Sequence, residues 1–163
     1  MIPTRAWFAA VALACIGLVG FALYQEVWAF LDPCPLCIFQ RIAFIWMGLF
    51  AILAVVHGPG RTGYRVYAVL VALGAAVGAA IAGRHIWLQN LPADQVPECG
   101  PGLGYMLENF PLAEVLQTVF TGSGSCAEVS WTFLGLSMPW WTLIWYGVLG
   151  TLVLWAGFRR ATP

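Results

Sequence analysis

Four of the five cysteines stand in two groups whose spacing suits thiol–disulfide chemistry. Cys34 and Cys37 form a C-x-x-C pair within Asp32-Pro33-Cys34-Pro35-Leu36-Cys37, while Cys99 and Cys126 lie 27 positions apart. Thiols so closely spaced can close and open a disulfide readily, the basis of redox cycling in such pairs. Cys37 falls where an apolar helical run begins. The free backbone N–H groups and the positive dipole end there favour a thiolate, the reactive form. Arg41, four residues on along the same helical face, adds positive charge near that sulfur. Cys99 is flanked by Pro97, Gly100 and Pro101, and Cys126 by Gly122, Ser123, Gly124 and Ser125. Such hinge-rich surroundings suit a disulfide that exchanges with another protein better than a staple; a structural loop disulfide is the alternative. Zinc is the other chemistry open to a C-x-x-C pair. Structural zinc sites bring two close Cys pairs, or a Cys pair with a His pair. Here the second pair is widely split and the two histidines, His57 and His85, stand apart, so no metal is expected, and metal analysis separates the readings. Four cysteines allow three connectivities, and spacing alone leaves them open.

What positions these sulfurs is a membrane scaffold. The 163 residues are 61% hydrophobic and 9% charged, against about 25% charged in a soluble domain. A core of this size cannot hide such an excess, which excludes a disordered chain, a collagen and an ordinary cytosolic enzyme. Seven arginines balance seven acids and there is no lysine, so no basic footprint for nucleic acid exists. Apolar runs at about 6–24, 37–56, 66–84 and 138–158 are each long enough to cross about 30 Å of hydrocarbon as a helix. The chain reads as an all-α membrane protein: one domain over 1–163, a four-transmembrane-helix bundle with two outer loops, at about 25–36 and 85–137.

Charge sets the orientation. Arg5, Arg61, Arg65, Arg159 and Arg160 lie in the two termini and the central connection, which hold no acid, whereas all seven acids fall in the two Cys-bearing loops. The positive-inside rule then places both termini in the cytoplasm and the cysteine pairs on the outer, oxidising side. A cleaved signal peptide competes for the first run, but that run is long for one and no small-residue cleavage pattern precedes Gln25 and Glu26. In the long loop Leu112, Val115, Leu116, Val119 and Phe120 recur with helical spacing, predicting a short amphipathic helix on the membrane surface. The third span leaves the membrane where the second enters. His85 and Gln89, four apart on one face, therefore sit at the depth of Cys37 and Arg41, which suggests a pocket for a lipid-soluble electron acceptor. Gly74 and Gly78 offer a small face for close helix packing. Cys15 reads as an inert buried residue, and Trp28, Trp87, Trp131, Trp140 and Trp141 as an interfacial aromatic belt.

The ordered set of motifs resembles the DsbB family of bacterial inner-membrane disulfide-forming oxidoreductases. It comprises C-P-L-C followed by Arg41, R-H-I-W-L-Q at 84–89, Cys99, S-C-A-E at 125–128 and F-L-G-L-S-M-P-W-W at 133–141. The resemblance implies an electron relay. A reduced DsbA-like periplasmic thioredoxin-fold protein would attack the Cys99–Cys126 disulfide at Cys99, and Cys126 would exchange with Cys34. Cys37 would then pass electrons to ubiquinone or menaquinone, with Arg41, His85 and Gln89 beside it. One departure is Gln40, where some family members carry an acid before the arginine. The competing class is a four-helix membrane interaction protein whose loops are stapled by structural disulfides.

Overall fold

In a computed structural model of the chain, residues 3–30, 33–92, 95, 105, 108–111, 113–114, 124–127, 129 and 131–159 are described. Cys99 and most of the segment read as a surface helix lie outside the described residues. Helices α1 (Thr4–Ala29), α2 (Pro35–His57) and α3 (Arg61–Gln89) come first, followed by a single helical turn, α4 (Gly124–Ala127). A minimal hairpin, β1 (Thr132–Phe133) and β2 (Leu136–Ser137), leads into α5 (Met138–Phe158). The four long helices are each long and apolar enough to cross a membrane, in agreement with the predicted bundle.

The helices outrun the uncharged segments that predict them. The first extends from 6–24 to 4–29, and the third from 66–84 to 61–89. Charge marks the edge of the hydrocarbon, but backbone hydrogen bonding continues through the interface beyond it. His85 and Gln89 are therefore helical rather than part of the outer loop, as is Glu26.

Local chemistry explains the ends. Cys34 caps α2, its sulfur accepting from the Cys37 N–H at 3.3 Å, and Pro35 occupies the first turn, where its missing N–H costs nothing. Gly58 closes α2 in the left-handed region. In the hairpin Thr132 pairs with Ser137 and Phe133 with Leu136, so the two-residue turn falls on Leu134 and Gly135, both at positive φ. That is the primed turn that matches strand twist.

The core is built of small and flat residues. Phe8, Val11 and Cys15 of α1 meet Phe44, Met47 and Ala51 of α2, Val71 and Ala75 of α3, and Tyr146, Leu149 and Val153 of α5. Large apolar side chains such as Leu13, Val56, Leu73 and Trp155 face outward, which accounts for the excess of hydrophobic residues. Helix α3 packs closely on both α2 and α5, while α1 packs on α2 and only lightly on α5. The small face of α3 serves this packing: a Cβ at Gly74 would lie 2.6 Å from Trp46 Cδ1, and one at Gly78 would lie 2.3 Å from Tyr146 Cζ. Tyr146 is fully buried and stacks on Phe44 at 4.2 Å between ring centroids, so it has nowhere to retreat. Gly78→Ala should therefore lower stability by about 1–3 kcal/mol, the usual range for overpacking, read as a lower melting temperature in detergent. Cys15 is buried with its Cβ 3.2 Å from where a Gly48 side chain would begin, consistent with an inert packing role.

Candidate active site

The outer ends of α1, α2, α3 and α5 converge on one polar cluster. The cap at Cys34 turns its sulfur back over the first turn of α2, and Cys34 donates its S–H to Cys37 Sγ at 2.9 Å. From α3, His85 reaches across with Nε2 3.8 Å from Cys34 Sγ, its ring 3% exposed. The turn α4 delivers Cys126, wholly buried, into the same apolar nest as Cys34, Leu36, Ile81 and Leu88. Cys34 is thus the central sulfur, in hydrogen-bonding contact with Cys126 as well as Cys37. These bonds, first to Cys126 and then to Cys37, together with burial, hold its thiol well above the ordinary cysteine range. Cys37 is the more open of the two and faces the other way, into a cavity.

That cavity encloses about 310 Å³. Its walls come from both sides of the loosest seam in the bundle: Leu18, Val19, Phe21 and Ala22 of α1, and Met138, Trp141 and Trp145 of α5. Phe44 forms part of the wall, and Cys37, Gln40, Arg41 and His85 form the polar end. An apolar slot with a few converging donors is the general form of a small-molecule site. It suits a flat, lipid-soluble ring.

The expected site residues other than Cys99, which lies outside the described residues, each have a definite place. Cys34, Cys37, Arg41 and His85 come together, and Cys126 joins them from the long loop. Gln89 does not line the cavity. Its Oε1 accepts from the Ser137 hydroxyl at 2.7 Å, tying the end of α3 to the start of α5. Arg41 lines the cavity but turns its guanidinium toward α1, pairing with Glu26 and donating to the Ala22 carbonyl at 3.2 Å. Trp131 and Trp141, expected in the aromatic belt, are cavity walls; Trp141 Nε1 donates to the Phe133 carbonyl at 3.1 Å and locks the hairpin over the site. Trp28 and Trp87 do face outward, and Trp87 lies under the Arg84 guanidinium at 4.1 Å.

Sequence context gives Glu26, Thr142 and Tyr146 no site role, and marks Gln40 only as a departure before Arg41. For Glu26 a signal existed, because an arginine one turn inside the membrane mouth calls for a countercharge at the same depth. Cys34, Cys37 and His85 also place their ligand atoms within 4.8 Å of one another, a spacing that a soft divalent ion could accept.

Comparison with known proteins gives the family. The family described as disulfide bond formation protein DsbB matches residues 4–156. A disulfide bond formation protein B of Marinobacter nauticus is 51% identical over 161 residues, covering 98% of this chain and 96% of the relative. One of Hahella chejuensis is 56% identical over 144 residues, covering 88% and 86% respectively. A third, of Chromobacterium violaceum, is 47% identical over 159 residues, covering 98% and 96%. A match running through all four spans and most of the cysteine-bearing segments makes this chain a member of the DsbB family.

Proposed function

We propose that the chain reoxidises a DsbA-like periplasmic dithiol protein and delivers the electrons to membrane quinone through Cys99–Cys126 and Cys34–Cys37. The observation that carries this relay is the position of Cys34, which touches Cys37 on one side and Cys126 on the other. A donor thiolate attacks Cys99, forming a mixed disulfide and releasing Cys126. The donor's second thiol then resolves that intermediate and leaves oxidised. Cys126 attacks Cys34 of the oxidised C-x-x-C pair, joining Cys126 to Cys34 and releasing Cys37 as the leaving thiolate. Cys99 then attacks Cys126, restoring Cys99–Cys126 and releasing Cys34, so that Cys34, buried, and Cys37, facing the cavity, stand as a dithiol whose closure to a disulfide yields two electrons and two protons.

A bound ubiquinone or menaquinone supplies a two-electron, two-proton acceptor. Arg41 holds its polar end beside Cys37, His85 stands behind the sulfurs at the same end of the cavity, and Gln89 supports them by fixing α5 against α3. The seam between α1 and α5 provides a lateral path from the lipid. The arrangement fits an inner-membrane protein with cytoplasmic termini and both cysteine loops in the periplasm.

With a short-chain ubiquinone in detergent, the purified protein should bleach quinone absorbance while oxidising a reduced thioredoxin-fold dithiol protein. Cys126→Ser should leave the quinone unreduced by that donor. Unreactive disulfides and unchanged quinone absorbance in the wild type would leave the stapled interaction protein as the reading.

A further inference from the structure

Behind the sulfurs runs a chain of hydrogen bonds that crosses three helices. Thr142 Oγ1 of α5 lies 2.7 Å from Gln40 Oε1 of α2, and Gln40 Nε2 lies 3.1 Å from His85 Nδ1 of α3. His85 Nε2 lies 3.8 Å from Cys34 Sγ, and Cys34 Sγ 2.9 Å from Cys37 Sγ. Gln40 is held at its backbone as well, since Tyr146 Oη donates to its carbonyl at 2.6 Å, and the residue is only 4% exposed.

We propose that Gln40 and Thr142 are positioning residues that fix His85 as its Nε2–H tautomer, so that every donor in this chain points toward Cys37.

Proton counting from both ends gives the same direction. A hydroxyl has one proton to donate, and Thr142 has two acceptors within reach, Gln40 Oε1 and the Pro139 carbonyl at 2.9 Å. When Gln40 Oε1 receives it, the amide must present its NH₂ to His85. An Nδ1 that accepts carries no proton, which leaves the proton of the neutral ring on Nε2. At the other end Cys34 has a single S–H, which two sulfurs, Cys37 at 2.9 Å and Cys126, stand ready to accept, while its own sulfur already accepts from the Cys37 N–H at 3.3 Å. Cys34 therefore has no proton for the imidazole, and the ring must be the donor. A reversed amide would conflict with this: Gln40 Oε1 would demand a proton on Nδ1, and a bare Nε2 would then face a sulfur with nothing to offer it. Donors lined up in this way stabilise negative charge on the sulfur at the end of the chain, the one facing the cavity.

The inference deepens the proposed function, and it can be tested apart from it because the tautomer is measurable without turnover. The chain contains only two histidines, so ¹⁵N-histidine labelling of the whole protein in detergent gives two imidazoles, with His57→Gln assigning the other. In the dithiol form, neutral His85 should show a protonated Nε2 and an unprotonated Nδ1. Gln40→Glu, whose carboxylate can only accept, should place a proton on Nδ1. Thr142→Val should lose the fixed tautomer and lower kcat about twofold to tenfold, the range for a hydrogen bond between neutral groups. The KM for the dithiol donor should not change, and Thr142→Ser should restore both the tautomer and the rate. An Nδ1–H tautomer in the wild type, or a Thr142→Val protein with an unaltered His85 spectrum, would overturn the proposal while leaving the relay standing. Absence of quinone reduction by the wild type would instead count against the relay.

Discussion

Replacing Cys37 with serine is expected to abolish quinone reduction, lowering kcat by at least about 10³-fold as loss of a nucleophile usually does, without disturbing the bundle. A serine hydroxyl neither leaves as a stable anion at neutral pH nor gives up two electrons, so the last transfer has no donor facing the cavity. The fold should survive because the contribution of residue 37 to the helix cap is its backbone N–H, bonded to Cys34 Sγ, which serine retains. The variant should also reveal the order of the relay. Cys34 lies against Cys126, but without a Cys34–Cys37 disulfide Cys126 has nothing to attack, so a Cys37→Ser protein treated with reduced donor should oxidise one equivalent of it and stop, with Cys99 and Cys126 left as thiols open to alkylation. Cys126→Ser should behave differently, keeping a Cys34–Cys37 pair that the donor cannot reach. Quinone bleaching combined with mass mapping of alkylated cysteines reads both outcomes. Sustained turnover by Cys37→Ser would remove the final electron carrier from the proposed relay.

How far the sequence reveals this site depends on what kind of information each residue carries. Cysteines, an intramembrane arginine and a histidine beside a helix end are rare in a chain with 9% charged residues, and they stand out by type alone. Their depth follows from charge placement, which is why Cys37, Arg41 and His85 are expected together and lie together. Rotation about each helix axis is a different matter. The spans are apolar nearly all round, so the residue pattern does not say which face turns inward. Trp141 therefore reads as a belt residue at the right depth but turns toward the cavity, and Arg41 turns toward Glu26 on α1. Gln89 sits at the expected depth yet bonds Ser137, because one helical turn beyond His85 carries it past the cavity. Gln40, Thr142 and Tyr146 are neutral groups whose meaning comes only from partners 45 to 106 positions away. No local pattern encodes such a partnership. The contact between Cys126 and Cys34 is likewise invisible to spacing, and it arises only when α4 brings Cys126 beside the α2 cap.

Arg41→Ala should raise the KM for quinone by about tenfold to a hundredfold while changing stability by no more than about 1 kcal/mol. These two magnitudes separate the roles open to this residue. Its visible partner is Glu26, but the two side chains are 19% and 38% exposed, and an ion pair so open to solvent contributes little, on the order of 0.2–1 kcal/mol. If stabilising α1 were its whole purpose, kinetics and melting temperature would both move slightly. An arginine that lines the cavity one turn below Cys37 can instead donate to a carbonyl oxygen of the acceptor. A charge-assisted bond of that kind contributes about 1.5–3 kcal/mol, enough for the larger kinetic effect. Glu26→Gln provides the complementary measurement. It keeps an oxygen for the guanidinium and leaves the positive charge in place, so it should affect KM far less than Arg41→Ala. In the double variant the loss should equal that of Arg41→Ala alone, because Glu26 acts only by aiming the arginine. Steady-state quinone kinetics and thermal melts of the four proteins complete the cycle. Unchanged KM and kcat in Arg41→Ala would confine Arg41 to its ion pair and remove it as the donor at the polar end of the cavity.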